Sequence, residues 1–213
     1  MRRRTAVLIS GRGSNLSALL EAAREPGYPA EIVLVLSNVP DAGGLARAEA
    51  SGVATAIVDH RPFRGDRAAH EAAIIVALDE AGIDLVCLAG YMRKLTPVLV
   101  SRYAGKMLNI HPSLLPAFPG LHTHARALAA GVKLHGCTVH LVTEGLDEGP
   151  ILAQAAVPVL PGDTEDALSM RVLAQEHALY PVALALLASD AAGTAPDPAA
   201  VLRNPLPAPA AAP

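Results

Sequence analysis

Two residues with complementary chemistry lie close together in Asn109-Ile110-His111-Pro112-Ser113-Leu114-Leu115-Pro116. They follow Lys106-Met107-Leu108, which predicts the end of a buried strand. Side chains two apart on a strand project from the same side of the pleat, so Asn109 and His111 point together. Pro112 has no N–H to give a ladder and stops the strand. A carboxamide can hold a developing oxyanion, and an imidazole can pass a proton near neutral pH. This pair is the candidate catalytic centre.

Other residues could serve it. Asp147 lies in the loop Thr143 to Pro150. Alone it is a turn aspartate; beside His111 it would hold the imidazole protonated and oriented. Glu176, in Arg171-Val172-Leu173-Ala174-Gln175-Glu176-His177, is by itself a helix-surface acid. Near the start, Gly11-Arg12-Gly13-Ser14-Asn15 precedes a helical pattern. Backbone N–H groups of Gly13, Ser14 and Asn15, with the Ser14 hydroxyl, make a site for a phosphate; the plainer alternative is that Ser14 or Asn15 only caps the helix. The loop is half a dinucleotide fingerprint, since position 16 is Leu and the next strand ends in Ser37-Asn38 without an acid, so NAD is not expected. His122, His124, His135 and His140 lack zinc-like spacing, and Cys137 stands alone. They read as solvated or core histidines, and no metal is expected.

The elements that must carry these residues follow from periodicity. Short apolar runs at Thr5–Ser10, Glu31–Leu36, Ala54–Val58 and Asp84–Ala89 fit strands covered on both faces. Between them, helical spacing marks Leu16 to Ala23, Leu45 to Ala50 and Arg67 to Ala81, and a further helix starts near Thr96-Pro97. Alternating strands and helices predict an α/β fold with a doubly wound, mostly parallel, Rossmann-like sheet. Ligands collect at the carboxyl ends of such strands, so the loops at Gly11, Gly90 and Asn109 should share one cleft. After a helix at His122 to Ala130, Leu134 to Val142 and Ile151 to Val159 predict an antiparallel hairpin. A long final helix runs from Thr164 to about Ser189, with acids at its start and Pro181 expected to kink or divide it. From residue 191 alanine and proline dominate, which predicts a flexible tail after a domain spanning 1–190.

Composition narrows the class. The 213 residues are 52% hydrophobic and 17% charged, enough for a core and too apolar for a disordered chain. A net charge of −3 offers no basic field for nucleic acid. No apolar run reaches the roughly 18 residues of a membrane span, and the residues after Met1-Arg2-Arg3-Arg4 are too few for a signal-peptide core. Cys87 and Cys137 sit in apolar runs and suit buried free thiols of a cytoplasmic protein.

Taken together, Ile9-Ser10-Gly11-Arg12-Gly13-Ser14-Asn15, Cys87-Leu88-Ala89-Gly90-Tyr91-Met92-Arg93, the run from Met107 to Pro116, Gly136-Cys137-Thr138-Val139-His140 and Leu146-Asp147-x-Gly149 resemble the folate-dependent phosphoribosylglycinamide formyltransferase family. The resemblance covers about Thr5 to Ser189. It implies transfer of a formyl group from 10-formyltetrahydrofolate, a co-substrate, to the amine of glycinamide ribonucleotide in purine synthesis. It implies that Asn109 stabilises the oxyanion, that protonated His111 donates protons, and that Asp147 raises the pKa of His111 and relays protons. Gly13, Ser14 and Asn15 would bind phosphate, and Glu176 the substrate near its ribose or amine. Met92, Arg93, Lys94 and Leu95, with Arg67 or alternatively Arg64, would line the folate side, and Glu144 to Gly149 would wrap the pterin. Lys94 stands where the family is usually apolar, which implies a solvent-facing side chain. Glu148 and Leu173 also depart from the family pattern. A monomer and a homodimer are both open. Methionyl-tRNA formyltransferase and 10-formyltetrahydrofolate hydrolase share the Asn-His-Asp centre, but each carries an extra domain with no counterpart among the patterns seen here. A non-catalytic binding module is the rival of another class.

Overall fold

The protein is described by a computed structural model, which defines residues 1–189 and the backbone of 201–203. Five strands form the parallel part of the sheet: β1 (Arg3–Ile9), β2 (Ala30–Ser37), β3 (Ala54–Ile57), β4 (Leu85–Leu88) and β5 (Met107–His111). Strands β6 (Leu134–Leu141) and β7 (Ile151–Pro158) form the expected antiparallel hairpin, and β6 also runs antiparallel to β5. The order is β3-β2-β1-β4-β5-β6-β7-β8, where β8 (Val201–Arg203) lies parallel to β7. The flexible tail expected from residue 191 otherwise lies outside the described residues.

Both faces of the sheet are covered, as the continuous apolar runs require. Along β1, Val7 and Ile9 join one core while Ala6 and Leu8 join the other, the two-residue alternation of a strand. The larger core takes α1 (Ser14–Ala22), α2 (Gly43–Ala50), α5 (Thr123–Ala130) and α6 (Glu165–Ser189). The smaller takes α3 (Arg67–Glu80) and α4 (Pro97–Arg102). The sheet is wound outward from β1 in both directions, so the switch point lies between β1 and β4. The loops after Ile9 and Leu88 flank it, and the end of β5 is next along.

Helix α6 is one run of 25 residues with Pro181 inside it, so the proline does not divide it. Tyr28 from the loop before β2 donates its hydroxyl to the Pro181 carbonyl at 2.6 Å. Helix α6 is also long and apolar enough to cross a membrane. Its buried residues, including Leu168, Val172, Leu179 and Leu184, instead fill the larger core. Tyr180 reaches furthest, with its hydroxyl 3.0 Å from the Leu88 carbonyl and 3.2 Å from that of Leu108. It thereby ties α6 to β4 and β5 just before Asn109. Cys87 and Cys137 are free and buried, and burial pushes the Cys87 thiol up to about 12.

Candidate active site

Strand β5 continues through Asn109 to His111 and stops at Pro112. The chain then turns back on itself, with a cis peptide between Leu115 and Pro116. Ser113 donates to the Ala117 carbonyl at 2.6 Å, and Thr138 on β6 donates to the Ser113 carbonyl at 2.7 Å. This return brings the Phe118 carbonyl to 3.0 Å from Nε2 of His111. The other ring nitrogen, Nδ1, lies 3.4 Å from Oδ2 of Asp147. Both side chains are over 90% buried. The imidazole is therefore held between a carbonyl and a carboxylate, and a proton on either nitrogen has an acceptor waiting.

Asp147 reaches this position from the β6–β7 loop with φ at +58°. A left-handed conformation at a non-glycine residue is strained and clusters at functional sites. Its Oδ2 accepts the Gly120 N–H at 2.8 Å, which fixes the carboxylate. Gly149 lets the loop close. A Cβ there would overlap the Leu141 carbonyl oxygen and stand 2.8 Å from its carbon.

From the sequence His140 is legible only as a solvated or core histidine. It is buried, as a core residue should be, but it belongs to this cluster. In the β5–β6 ladder it pairs with Asn109. Its Nδ1 lies 2.9 Å from the Leu141 carbonyl and carries the proton, which leaves Nε2 as an acceptor. The Asn109 amide nitrogen lies 3.3 Å from that Nε2, and Asp147 Oδ1 lies 3.8 Å from it. Burial pushes the His140 pKa down, which favours this neutral form. The Asn109 amide is thereby turned so that one N–H is engaged and the other is free to donate. Opposite His140 the β6–β7 ladder slips: Val139 pairs with Ala153 but His140 with Ile151, leaving Leu152 as an extra residue in a β-bulge. Bulges gather beside active sites, where they re-aim side chains.

Two of the histidines outside this group, His124 and His135, form a second pair. His124 Nδ1 lies 3.2 Å from His135 Nε2. Burial, reinforced by His124, lowers the His135 pKa to about 4. Among the described residues no group of three His, Cys, Asp or Glu could hold a metal ion.

At the first loop, α1 starts without a side-chain cap, so neither Ser14 nor Asn15 takes the plain capping role. The N-cap is Gly13, with φ at +73°, a conformation glycine adopts readily. A Cβ on Gly13 would stand 2.9 Å from the Gly44 Cα, so the loop and the start of α2 pack backbone against backbone. The first N–H groups of a helix lack intrahelical acceptors, and here they lie beside a half-exposed Ser14. Asn15 instead donates to Glu176 Oε2 at 2.7 Å. Glu176 is only 7% exposed, so it is not a surface acid. Burial raises its pKa, and the Asn15 bond partly offsets this. The structure thus joins Glu176 to the first loop.

After β4, Met92 and Lys94 are exposed, while Arg93 and Leu95 are half-buried. Arg67 and Arg64 are both exposed, so burial does not distinguish them.

A family model described as formyl transferase matches residues 3–184. The Escherichia coli phosphoribosylglycinamide formyltransferase is 48% identical over 182 residues, 85% of each chain. The crystal structure of phosphoribosylglycinamide formyltransferase from Brucella melitensis is 60% identical, with a TM-score of 0.85, and covers 89% of this chain and 97% of that one. The trifunctional purine biosynthetic protein adenosine-3 of Bos taurus is 51% identical over 88% of this chain. The chain spans only 18% of that protein, and 15% of its Drosophila melanogaster counterpart.

Proposed function

The chain belongs to the formyl transferase family, and from that membership we infer that it moves a formyl group from 10-formyltetrahydrofolate to the amine of 5-phosphoribosylglycinamide. The products are formylglycinamide ribonucleotide and tetrahydrofolate, a step of purine biosynthesis. The observation that carries the assignment of roles is the buried His111–Asp147 contact at 3.4 Å, with Asn109 held two residues away.

The amine lone pair attacks the formyl carbon, and the carbonyl oxygen takes up negative charge. Asn109 donates its free N–H to that oxygen, a preorganised donor aimed at developing charge. His111 supports the charge. Collapse of the tetrahedral species breaks the bond to N10 of the folate. The proton lost by the amine is the proton N10 needs, so none is consumed overall. His111 and Asp147 carry it between them. Gly13, Ser14 and Asn15 bind the ribonucleotide phosphate at the start of α1. Glu176, held by Asn15, meets the ribose or the amine. Met92 to Leu95, with Arg67 or Arg64, and the loop from Glu144 to Gly149 enclose the folate. Two buried unpaired cysteines suit a cytoplasmic setting.

The test is an absorbance assay for folate product, with and without the ribonucleotide. Turnover that requires the ribonucleotide is expected. Turnover with folate alone, unchanged by the ribonucleotide, would make the protein a hydrolase and remove the phosphate role of the first loop.

A further inference from the structure

The segment Tyr91–Leu95 has no secondary structure, yet it is fixed at both ends by groups with no part in the chemistry above. At its start, the Met92 N–H donates to Ser10 Oγ at 2.8 Å, and the Ser10 N–H donates to the Gly90 carbonyl at 3.2 Å. Ser10 is itself held, since its hydroxyl donates to Asn38 Oδ1 at 2.6 Å and Asn38 is buried. At its end stands Glu71 of α3, a carboxylate only 2% exposed. Its Oε1 accepts the Thr96 N–H at 2.7 Å, and its Oε2 accepts the Thr96 hydroxyl at 2.6 Å and the Leu99 N–H at 3.1 Å. Between these anchors, Tyr91 and Leu95 pack against the smaller core. Among the described residues, no internal hydrogen bond takes the N–H of Arg93, Lys94 or Leu95.

We propose that Ser10 and Glu71 are positioning residues that stretch Tyr91–Leu95 between two anchors, so that its free backbone groups form a fixed hydrogen-bonding edge for the planar heterocycle of the folate. The proposal rests on the folate reading above. A buried carboxylate is costly to keep unless its lone pairs are used, and here all its partners lie in the segment's end and the helix it enters. A fixed edge binds more tightly than a mobile one because ordering is not repeated at each encounter. Neither residue touches the reacting atoms, so the effect belongs in folate affinity and not in the chemical step.

Ser10→Ala removes the acceptor for the Met92 N–H. Glu71→Gln keeps the shape but turns an NH2 toward one of the backbone donors. Each variant is expected to raise KM for 10-formyltetrahydrofolate about tenfold, the order of one hydrogen bond lost from an anchor of the segment. The kcat and the KM for the ribonucleotide should move less than about twofold. Ser10→Thr, which retains the hydroxyl, should restore the folate KM. A parallel rise in both KM values, a loss confined to kcat, or no change in either variant would overturn the proposal. Should Glu71→Gln fail to fold, Ser10→Ala decides alone. If the wild-type protein shows no ribonucleotide-dependent turnover, the functional reading fails, and the positioning role is then decided by calorimetric Kd for tetrahydrofolate. A wild-type protein that does not bind tetrahydrofolate would overturn both.

Discussion

Replacing Gly149 with Ala perturbs the catalytic loop without touching a catalytic side chain. The added Cβ would lie 2.8 Å from the Leu141 carbonyl carbon and overlap its oxygen, where ordinary contact begins near 3.4 Å. Both partners are backbone, one of them within the β6 ladder, so no side chain can swing aside. The loop must retreat by about 1 Å or more, and Asp147 sits two residues away. Its 2.8 Å bond to Gly120 and its 3.4 Å contact with His111 cannot both survive that shift. A misplacement of about 1 Å in a catalytic group lowers the rate on the order of 10²-fold, about 2.7 kcal/mol in the barrier. Steady-state kcat with both substrates measures this, with circular dichroism to show that the fold persists. Gly145→Ala is the control. A Cβ there meets mainly the carboxylate of the exposed Glu148, which can swing away, and stands 3.1 Å from its Cβ, a conflict of a few tenths of an ångström with no main-chain atom, so kcat should stay within about twofold. Wild-type kcat in Gly149→Ala, or equal damage from Gly145→Ala, would refute the link between loop closure and the Asp147 contact.

Three further outcomes are expected. Asp147→Asn keeps an acceptor for Gly120 but removes the charge beside His111, and should lower kcat about 10²- to 10³-fold with little change in Tm, checked by steady-state kinetics and thermal melts. His140→Phe fills the same buried space but gives Asn109 no acceptor, so kcat should fall about tenfold while the ribonucleotide KM holds. His135 has its folded pKa lowered to about 4, below the unfolded value of 6.5. Between those values the unfolded chain binds the proton and the folded chain does not, so stability is full above pH 6.5 and falls as pH drops toward 4. His135→Gln should flatten that fall in urea titrations run across the same window.

The alternation of elements could be read from the chain because β1, β2 and β4 are buried on both faces and therefore spelled as unbroken apolar runs. Asn109 and His111 stood out because strand parity and Pro112 fix their common direction. Spacing alone makes Glu176 a surface acid and His140 a solvated or core histidine, and it misses the partner of each for one reason. Helical or strand spacing tells which residues share a face, but not what lies across from that face. Glu176 meets Asn15, 161 positions earlier, and His140 meets Asn109 across a ladder. The β5–β6 pairing was the missing signal; once Asn109 is set opposite His140, the histidine joins the site. Glu71 lies inside the helix predicted over Arg67 to Ala81, and its partners sit at the start of α4, which only tertiary folding brings near. Of the two effects expected of Pro181, a kink or a division, the division does not occur, because the long packed run around it continues the helix.

The extra residue at Leu152 means that odd and even positions of β7 exchange sides partway along the strand. The β6–β7 hairpin is consequently tuned in its length as well as in its composition. Deleting one residue there would complete a regular ladder, and by the usual rules of sheet pairing the shorter hairpin would be the better-formed one. The same deletion would remove the bend and added twist that the bulge gives β7 where it receives the 143–150 loop, the local geometry that brings Asp147 to His111. Ideal pairing and a working centre are thus alternatives at this point of the sheet, and shortening the hairpin to strengthen it would remove the contact on which the chemistry depends.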